Sequence, residues 1–179
     1  MKPAPEEILR RVLKVSRLNG WSVAIFAGLC SLVTLATGDP VGVSVGLLVT
    51  LGGVLEVRGH RMLQRGNAAG MTWLVRSQLV VLGTIWVYAA TRLLSFDAEL
   101  VRELVTPELR TSLNELGLTM EDILPLVRRA FYLLYGSVMA VTLIYQGGLA
   151  LYYRRRTALV AQALAAPPPP PATAPFPTP

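Results

Sequence analysis

Four long hydrophobic runs, interrupted by short polar stretches, dominate the pattern of the 179-residue chain. They cover about residues 21–37, 41–57, 71–94 and 130–153. Each run approaches the roughly 20 apolar residues that an α-helix needs to cross a bilayer. The pattern therefore predicts an all-α fold, an integral membrane four-helix bundle with short interfacial helices, whose membrane domain covers residues 20–156. Gly-Asp-Pro at 38–40 is a turn signal, so we expect the first two spans to form a tight hairpin.

Residues 1–19 have the pattern of a cytoplasmic amphipathic, basic helix. Apolar side chains recur at helical spacing from Ile8 to Leu18, and Gly20 is a reasonable stop before the first span. Four cations occupy the other side and are expected to face anionic lipids of the inner leaflet: Arg10, Arg11, Lys14 and Arg17. Two interpretations remain open, an in-plane helix on the leaflet or a helical basic flank that only sets topology.

The loop of residues 95–129 is too long to be a bare connector. It contains a helix signal at 97–105, a second helix start at 106–108, and Gly117 as a stop. Thr119 and Asp122 resemble a capping box that opens a helix running into the fourth span, with Pro125 expected to kink it. These elements are expected to lie on the outer leaflet or cap the bundle, or to dock an extracytoplasmic partner.

The distribution of basic residues predicts the orientation. Eleven Lys or Arg residues flank the spans on the side of both termini, whereas the 95–129 loop has four and carries seven acids. By the positive-inside rule, both termini are cytoplasmic and the loop is extracytoplasmic. The 15 Arg against 2 Lys, with abundant Ala and Pro, suggest a bacterial plasma (inner) membrane. The Ala/Pro-rich tail, residues 157–179 with five prolines at 167–171, is expected to be disordered; a ligand for an aromatic groove is the alternative.

The composition excludes most familiar chemistries. The chain is 53% hydrophobic and only 16% charged, and its single Cys30 and single His60 permit neither an intrachain disulfide nor a Cys-based or multi-His metal site. Dinucleotide, P-loop and nucleophile-elbow motifs are absent from the sequence. We therefore expect no cofactor, no metal and no enzymatic activity. The net charge of +6 lies on one side and indicates lipid headgroups as its counterpart, with no nucleic acid as a partner.

Four polar side chains are predicted to meet in the inner half of the bundle. They are Glu56 on the second span, Arg76 and Gln78 on the third, and Gln146 on the fourth. Charged groups inside a span are costly and often functional. An Arg–Glu pair and interhelical glutamine bonds can equally be structural, so a substrate or proton role and a packing role are both open.

Small residues predict where helices approach closely. The candidate packing face comprises Gly42, Gly46 and Gly53 on the second span and Gly147 and Gly148 on the fourth. It serves either packing within the chain or a homodimer. Tyr152 and Tyr153 are expected in an interfacial aromatic belt, and His60 in a solvated loop.

Three functions compete at this stage. The first is a small, non-catalytic accessory or scaffold subunit of a larger membrane complex. The second is a small transporter or channel, as a dimer, with the Glu56 and Arg76 cluster lining the path. The third is a lipid-acting membrane enzyme, for which Glu56 and His60 are the only plausible acid–base pair. Small size, the absence of motifs and the proline tail favour the first.

Overall fold

The structure, a computed structural model, describes residues 4–99, 101, 106, 111, 113, 115, 117 and 119–166. Its main α-helical segments are α1 (Pro5–Ala36), α2 (Pro40–Gln64), α3 (Gly70–Leu94), α4 (Met120–Thr142) and α5 (Gly148–Ala165), with a π-helical segment at Leu143–Gly147. Segments α4 and α5 and the π-helical segment between them form one continuous 46-residue helix, Met120–Ala165, which is called the fourth long helix below. The predicted all-α fold is confirmed, and four helices are long and apolar enough to cross a membrane.

A tight turn joins α1 to α2. Gly38 has a φ of 72°, which glycine adopts without the steric cost that a Cβ would add. Asp39 then caps α2, because its carboxylate accepts a hydrogen bond from the Val41 N–H at 3.1 Å. Pro40 occupies the first helical position, where a missing N–H costs nothing. The two helices pack along each other as an antiparallel hairpin.

Helix α1 differs from the expectation of two separate segments. It runs without a break from Pro5 to Ala36, and Gly20 lies inside it. Glycine is tolerated there because α2 passes close by: a Cβ on Gly20 would lie 3.2 Å from the Val57 nitrogen. The apolar face of residues 5–19 is covered by protein at Ile8 and Val12, which are buried in the core, whereas Leu18 at its end is 72% exposed. Both interpretations of this helix therefore remain predictions.

The buried apolar core lies at one end of the bundle. This end, called the Arg-rich end below, combines the first half of α1, the last turns of α2, the first turns of α3 and all of α5. Its core residues are Ile8, Val12, Leu63, Met71, Leu74, Tyr153 and Val160. Helix α4, in contrast, buries none of its residues. The cluster of buried apolar side chains therefore lies where the basic flanks are.

The start of α4 has the local structure that its sequence indicates. The Thr119 hydroxyl accepts a hydrogen bond from the Asp122 N–H, and the Asp122 carboxylate accepts one from the Thr119 N–H at 2.9 Å. This is a capping box with aspartate as its acid. Pro125 lies inside α4. Most of residues 100–118, which hold the two predicted loop helices, and the proline tract at 167–171 lie outside the described residues.

Candidate functional site

Glu56 is buried in the middle of the helix bundle, with 2% of its surface exposed. Two glycines just before it on α2 explain this position. Gly53 lets α1 approach so closely that a Cβ there would lie 2.6 Å from the Ala24 nitrogen. Gly52 does the same for α3, where a Cβ would contact Val81. Because α2 is held tightly between two neighbours, the side chain one turn further on is enclosed.

Both carboxylate oxygens of Glu56 accept hydrogen bonds from other helices. The Tyr153 hydroxyl of α5 donates to Oε1 at 2.8 Å, and the Asn19 amide of α1 donates to Oε2 at 2.6 Å. The Tyr145 hydroxyl, on the π-helical segment, donates in turn to Asn19 Oδ1 at 2.9 Å. We call these four residues the Glu56 network. It ties α1, α2, α5 and the π-helical segment together through neutral donors.

Two buried glutamines lie on the helices that flank this network. Gln78 of α3 donates to the Ser77 hydroxyl at 3.2 Å, and its side chain also approaches the Glu56 carboxylate. Gln146 is buried on the π-helical segment. The Oε1 atoms of both glutamines have no hydrogen-bond partner among the described residues. Buried polar atoms are nearly always paired, so these two oxygens need an explanation.

The π-helical segment brings two consecutive side chains to polar positions of the bundle. Tyr145 is 54% exposed but its hydroxyl reaches Asn19, and the adjacent Gln146 is buried. In a regular α-helix, neighbours in sequence point about 100° apart, whereas the wider π turn accommodates an extra residue. Single π turns inside α-helices are frequent at functional sites. No pattern in the sequence predicts this π turn.

Arg76 is not part of the cluster, contrary to the expectation from sequence. Its side chain is exposed, and its guanidinium lies 5.7 Å from the centre of the Trp73 ring. Arg76 precedes Gln78 by two residues, which places the two on α3 about 200° apart. Because Gln78 faces the bundle interior, Arg76 faces outward. The predicted Glu56–Arg76 pair therefore does not form, and the contacts of Glu56 are to uncharged side chains.

Sequence reasoning missed several members of the polar interior. Asn19 was assigned to a surface helix, and Tyr153 to an interfacial belt, yet Tyr153 is fully buried. His60 lies within α2 rather than in a solvated loop, with its Nδ1 3.0 Å from the Ser16 hydroxyl. One signal was available. Ser16 and Asn19 continue the helical face of Ile8 and Val12, so polar residues extend an apolar stripe into the bundle.

The candidate small-residue face divides into two parts. Gly42, Gly46 and Gly53 all face α1, where added Cβ atoms would contact Thr34, Ser31 and Ala24 respectively. These glycines therefore pack within the chain. On the fourth long helix, by contrast, a Cβ on Gly147 would meet only Leu143 of the same helix, at 3.7 Å, and one on Gly148 would meet nothing within 4 Å.

A further close approach joins α2 to α3. A Cβ on Gly59 would lie 2.9 Å from the Gly70 carbonyl oxygen, so the two helices pack backbone against backbone at the Arg-rich end. The glycine face predicted from the sequence contained Gly42, Gly46 and Gly53 but not the pair Gly59 and Gly70. Helix α2 is held by glycines on both of its sides.

The burial of Glu56 limits the chemistry that the site can perform. Within the described part of the chain, no group of three His, Cys, Asp or Glu side chains could hold a metal ion. Five grooves on the surface are lined by other residues, and Glu56 is not among them. The carboxylate is an acceptor that joins helices. Comparisons of the chain with protein-family models, curated proteins and solved structures gave no match.

Proposed function

We propose that this chain is a non-catalytic accessory or scaffold subunit of a larger membrane complex in a bacterial inner membrane. Both termini lie in the cytoplasm and residues 95–129 lie outside. The orientation is supported by the basic residues, which gather at the Arg-rich end of the bundle, while the opposite loop is acidic. The apolar surfaces of the four long helices suit contact with lipid.

The closed Glu56 network is the observation that carries the proposal. A group that relays ions or performs catalysis must be reachable by its substrate. The Glu56 carboxylate is 2% exposed and both oxygens are occupied by donors from other helices. Such an arrangement stabilises one packing of the bundle. A small bundle whose buried carboxylate is used to join its own helices fits a subunit that positions other proteins.

The fourth long helix supports a role in assembly. Helix α4 buries none of its residues within the chain, although it is of spanning composition. Leu133 and Ile144, the latter on the π-helical segment, are 73% and 75% exposed. This side of the molecule is free to contact a neighbouring subunit.

Photo-crosslinking in native membranes tests the proposal. A photoreactive residue at Leu133 on α4 is compared with one at Phe26 on α1, which is equally exposed at 72%. After purification through an N-terminal tag, mass spectrometry identifies the species attached. We expect a discrete larger membrane protein, in stoichiometric amount, from the α4 position. Recovery of only this chain from both positions, as a defined oligomer, would contradict the proposal.

A second candidate function is a small dimeric transporter or channel. The unpaired, buried Oε1 atoms of Gln78, whose side chain approaches the Glu56 carboxylate, and of Gln146 favour it because such oxygens can bind a passing polar solute. Proteoliposome flux of monovalent ions and protons tests this role. Glu56→Gln should abolish flux, whereas Arg76→Gln, outside the network, should retain it. Absence of flux from the wild-type chain would reject this candidate.

A further inference from the structure

A groove of about 610 Å³ lies between α1 and α2 at the Arg-rich end. Trp21 and Ala24 line it on α1. Val54, Arg58 and Arg61 line it on α2, and Arg65 lines it at the C-cap of that helix. The groove is partly open to the surroundings of the bundle. It does not contain Glu56, so it is separate from the polar network.

The character of the groove changes along its length. Val54, Arg58, Arg61 and Arg65 recur at intervals of four, three and four residues, which places them on one face of α2. Eleven residues correspond to about 16 Å along the helix. One end of the groove is therefore cationic, and the other, near Val54 and Ala24, is apolar. A phospholipid has this polarity, with an anionic phosphate joined to hydrocarbon.

The three arginines are free to bind an anion. None of them forms an ion pair with a described residue. The one acid of α2, Glu56, is held by the network. The Arg58 guanidinium lies 4.6 Å from the centre of the Trp73 ring, and this stacking fixes the group while its N–H edges stay available. Guanidinium N–H groups bind phosphate oxygens in a bidentate manner.

We propose that this groove binds one anionic phospholipid molecule. Arg58, Arg61 and Arg65 hold the headgroup phosphate, and an acyl chain lies along Trp21, Ala24 and Val54. The proposal rests on the membrane location given above and not on the role as a subunit. It also differs from a diffuse attraction of basic flanks to the leaflet, since it assigns one lipid to one groove.

Charge and shape together select this occupant. A free phosphate would use the arginines and leave the apolar end of the groove uncovered. A zwitterionic lipid would fill the apolar end, but its headgroup cation would lie among three guanidinium groups. An anionic lipid satisfies both ends of the groove, so it is the occupant to which we commit.

Native mass spectrometry of the full-length chain in detergent tests the proposal. Dioleoyl-phosphatidylglycerol is titrated in, and dioleoyl-phosphatidylcholine serves as the lipid with the same chains but no net charge. We expect one saturable phosphatidylglycerol adduct on the wild-type chain and much weaker binding of phosphatidylcholine. The double variant Arg61→Gln, Arg65→Gln should bind phosphatidylglycerol at least about tenfold more weakly.

A matched control variant also loses two positive charges at the Arg-rich end, but outside the groove. Arg10 and Arg154 are exposed and do not line this groove, so Arg10→Gln with Arg154→Gln should bind within about twofold of wild type. Val54→Trp fills the apolar end while keeping all three arginines, and should weaken binding as well. It provides an independent test if the double arginine variant does not fold, as judged by circular dichroism.

Three results would overturn the proposal. The first is equal loss of binding in both double charge variants, which indicates diffuse attraction. The second is equal binding of the two lipids. The third is displacement of the lipid by glycerol phosphate at similar concentration, together with unchanged binding in Val54→Trp, which indicates a site for phosphate alone. Because the measurement uses the isolated chain, its failure leaves the test for a partner subunit unaffected.

Discussion

The hydroxyl of Tyr153 offers the sharpest test of the network. Tyr153→Phe removes one oxygen, the donor that lies 2.8 Å from Glu56 Oε1, and keeps the ring that packs in the apolar core. Nothing else about the side chain changes. Any loss of stability therefore reports the bond to the carboxylate and not a cavity.

The size of the effect follows from the environment of this bond. Hydrogen bonds to charged groups contribute about 1.5–3 kcal/mol in water-soluble proteins. Interhelical bonds in membranes average about 0.6 kcal/mol and reach about 1.7 kcal/mol. Tyr153 is fully buried and Glu56 nearly so, but the carboxylate keeps its bond from Asn19. We therefore expect the free energy of unfolding to fall by about 1–2 kcal/mol.

Reversible unfolding by sodium dodecyl sulfate in mixed micelles, followed by tryptophan fluorescence, measures this loss. The adjacent Tyr152 provides the control. Its ring contacts Arg156 and Tyr153, but its hydroxyl has no hydrogen bond within the described part of the chain. Tyr152→Phe should therefore change the unfolding free energy by less than about 0.5 kcal/mol.

A double-mutant cycle with Glu56→Gln separates the bond from general effects of each substitution. We expect a coupling energy of at least about 0.5 kcal/mol between positions 56 and 153. The reasoning would be refuted by two results together: a loss in Tyr153→Phe no larger than in Tyr152→Phe, and a coupling energy near zero. The carboxylate would then not be what joins α5 to α2.

Two further predictions use the same unfolding assay. Gly53→Ala should lower the free energy of unfolding by about 1–3 kcal/mol, because the new methyl group would meet the backbone of Ala24 at 2.6 Å. The control Gly148→Ala, whose methyl group would have nothing within 4 Å, should be neutral or raise the free energy of unfolding by up to about 1 kcal/mol. Equal effects of the two substitutions would contradict the packing described. Glu56→Gln and Arg76→Gln should be additive within about 0.5 kcal/mol, and strong coupling would show that the two charges do meet.

The number and approximate position of the long helices could be predicted because length and absence of charge decide them. The hairpin turn and the Thr119 cap were predictable for a related reason. Each depends on residues adjacent in sequence, such as Gly38 with its positive φ or Asp122 three residues after its cap. Local rules are sufficient for these features.

The direction of each side chain could not be predicted in the same way. Counting along the helices predicted a common depth for Glu56, Arg76 and Gln78, but depth does not say which face of a helix is buried. In a span that is apolar all round, hydropathy gives no such face. Arg76 consequently appeared to be a partner of Glu56, although the helical phase points it away.

The remaining donors were missed for different physical reasons. Asn19 lies before the apolar run of the first span, and its role follows only from the continuity of α1 through Gly20. Tyr153 resembles the many tyrosines that anchor helices at an interface. The π turn that buries Gln146 and brings the Tyr145 hydroxyl to Asn19 has no characteristic composition. Only the assembled bundle identifies these residues.

The order of the network residues along the chain bears on how the protein is made. Asn19 precedes Glu56 by 37 residues, whereas Tyr153 follows it by 97. At roughly 5–20 residues per second, the ribosome needs roughly 5–20 s to reach Tyr153 after Glu56 has been synthesised. During that interval the chain can supply Asn19 and then Gln78 of α3 to the carboxylate, but not the Tyr153 hydroxyl. The last helix therefore completes the pairing of a carboxylate whose other oxygen the first helix can already occupy.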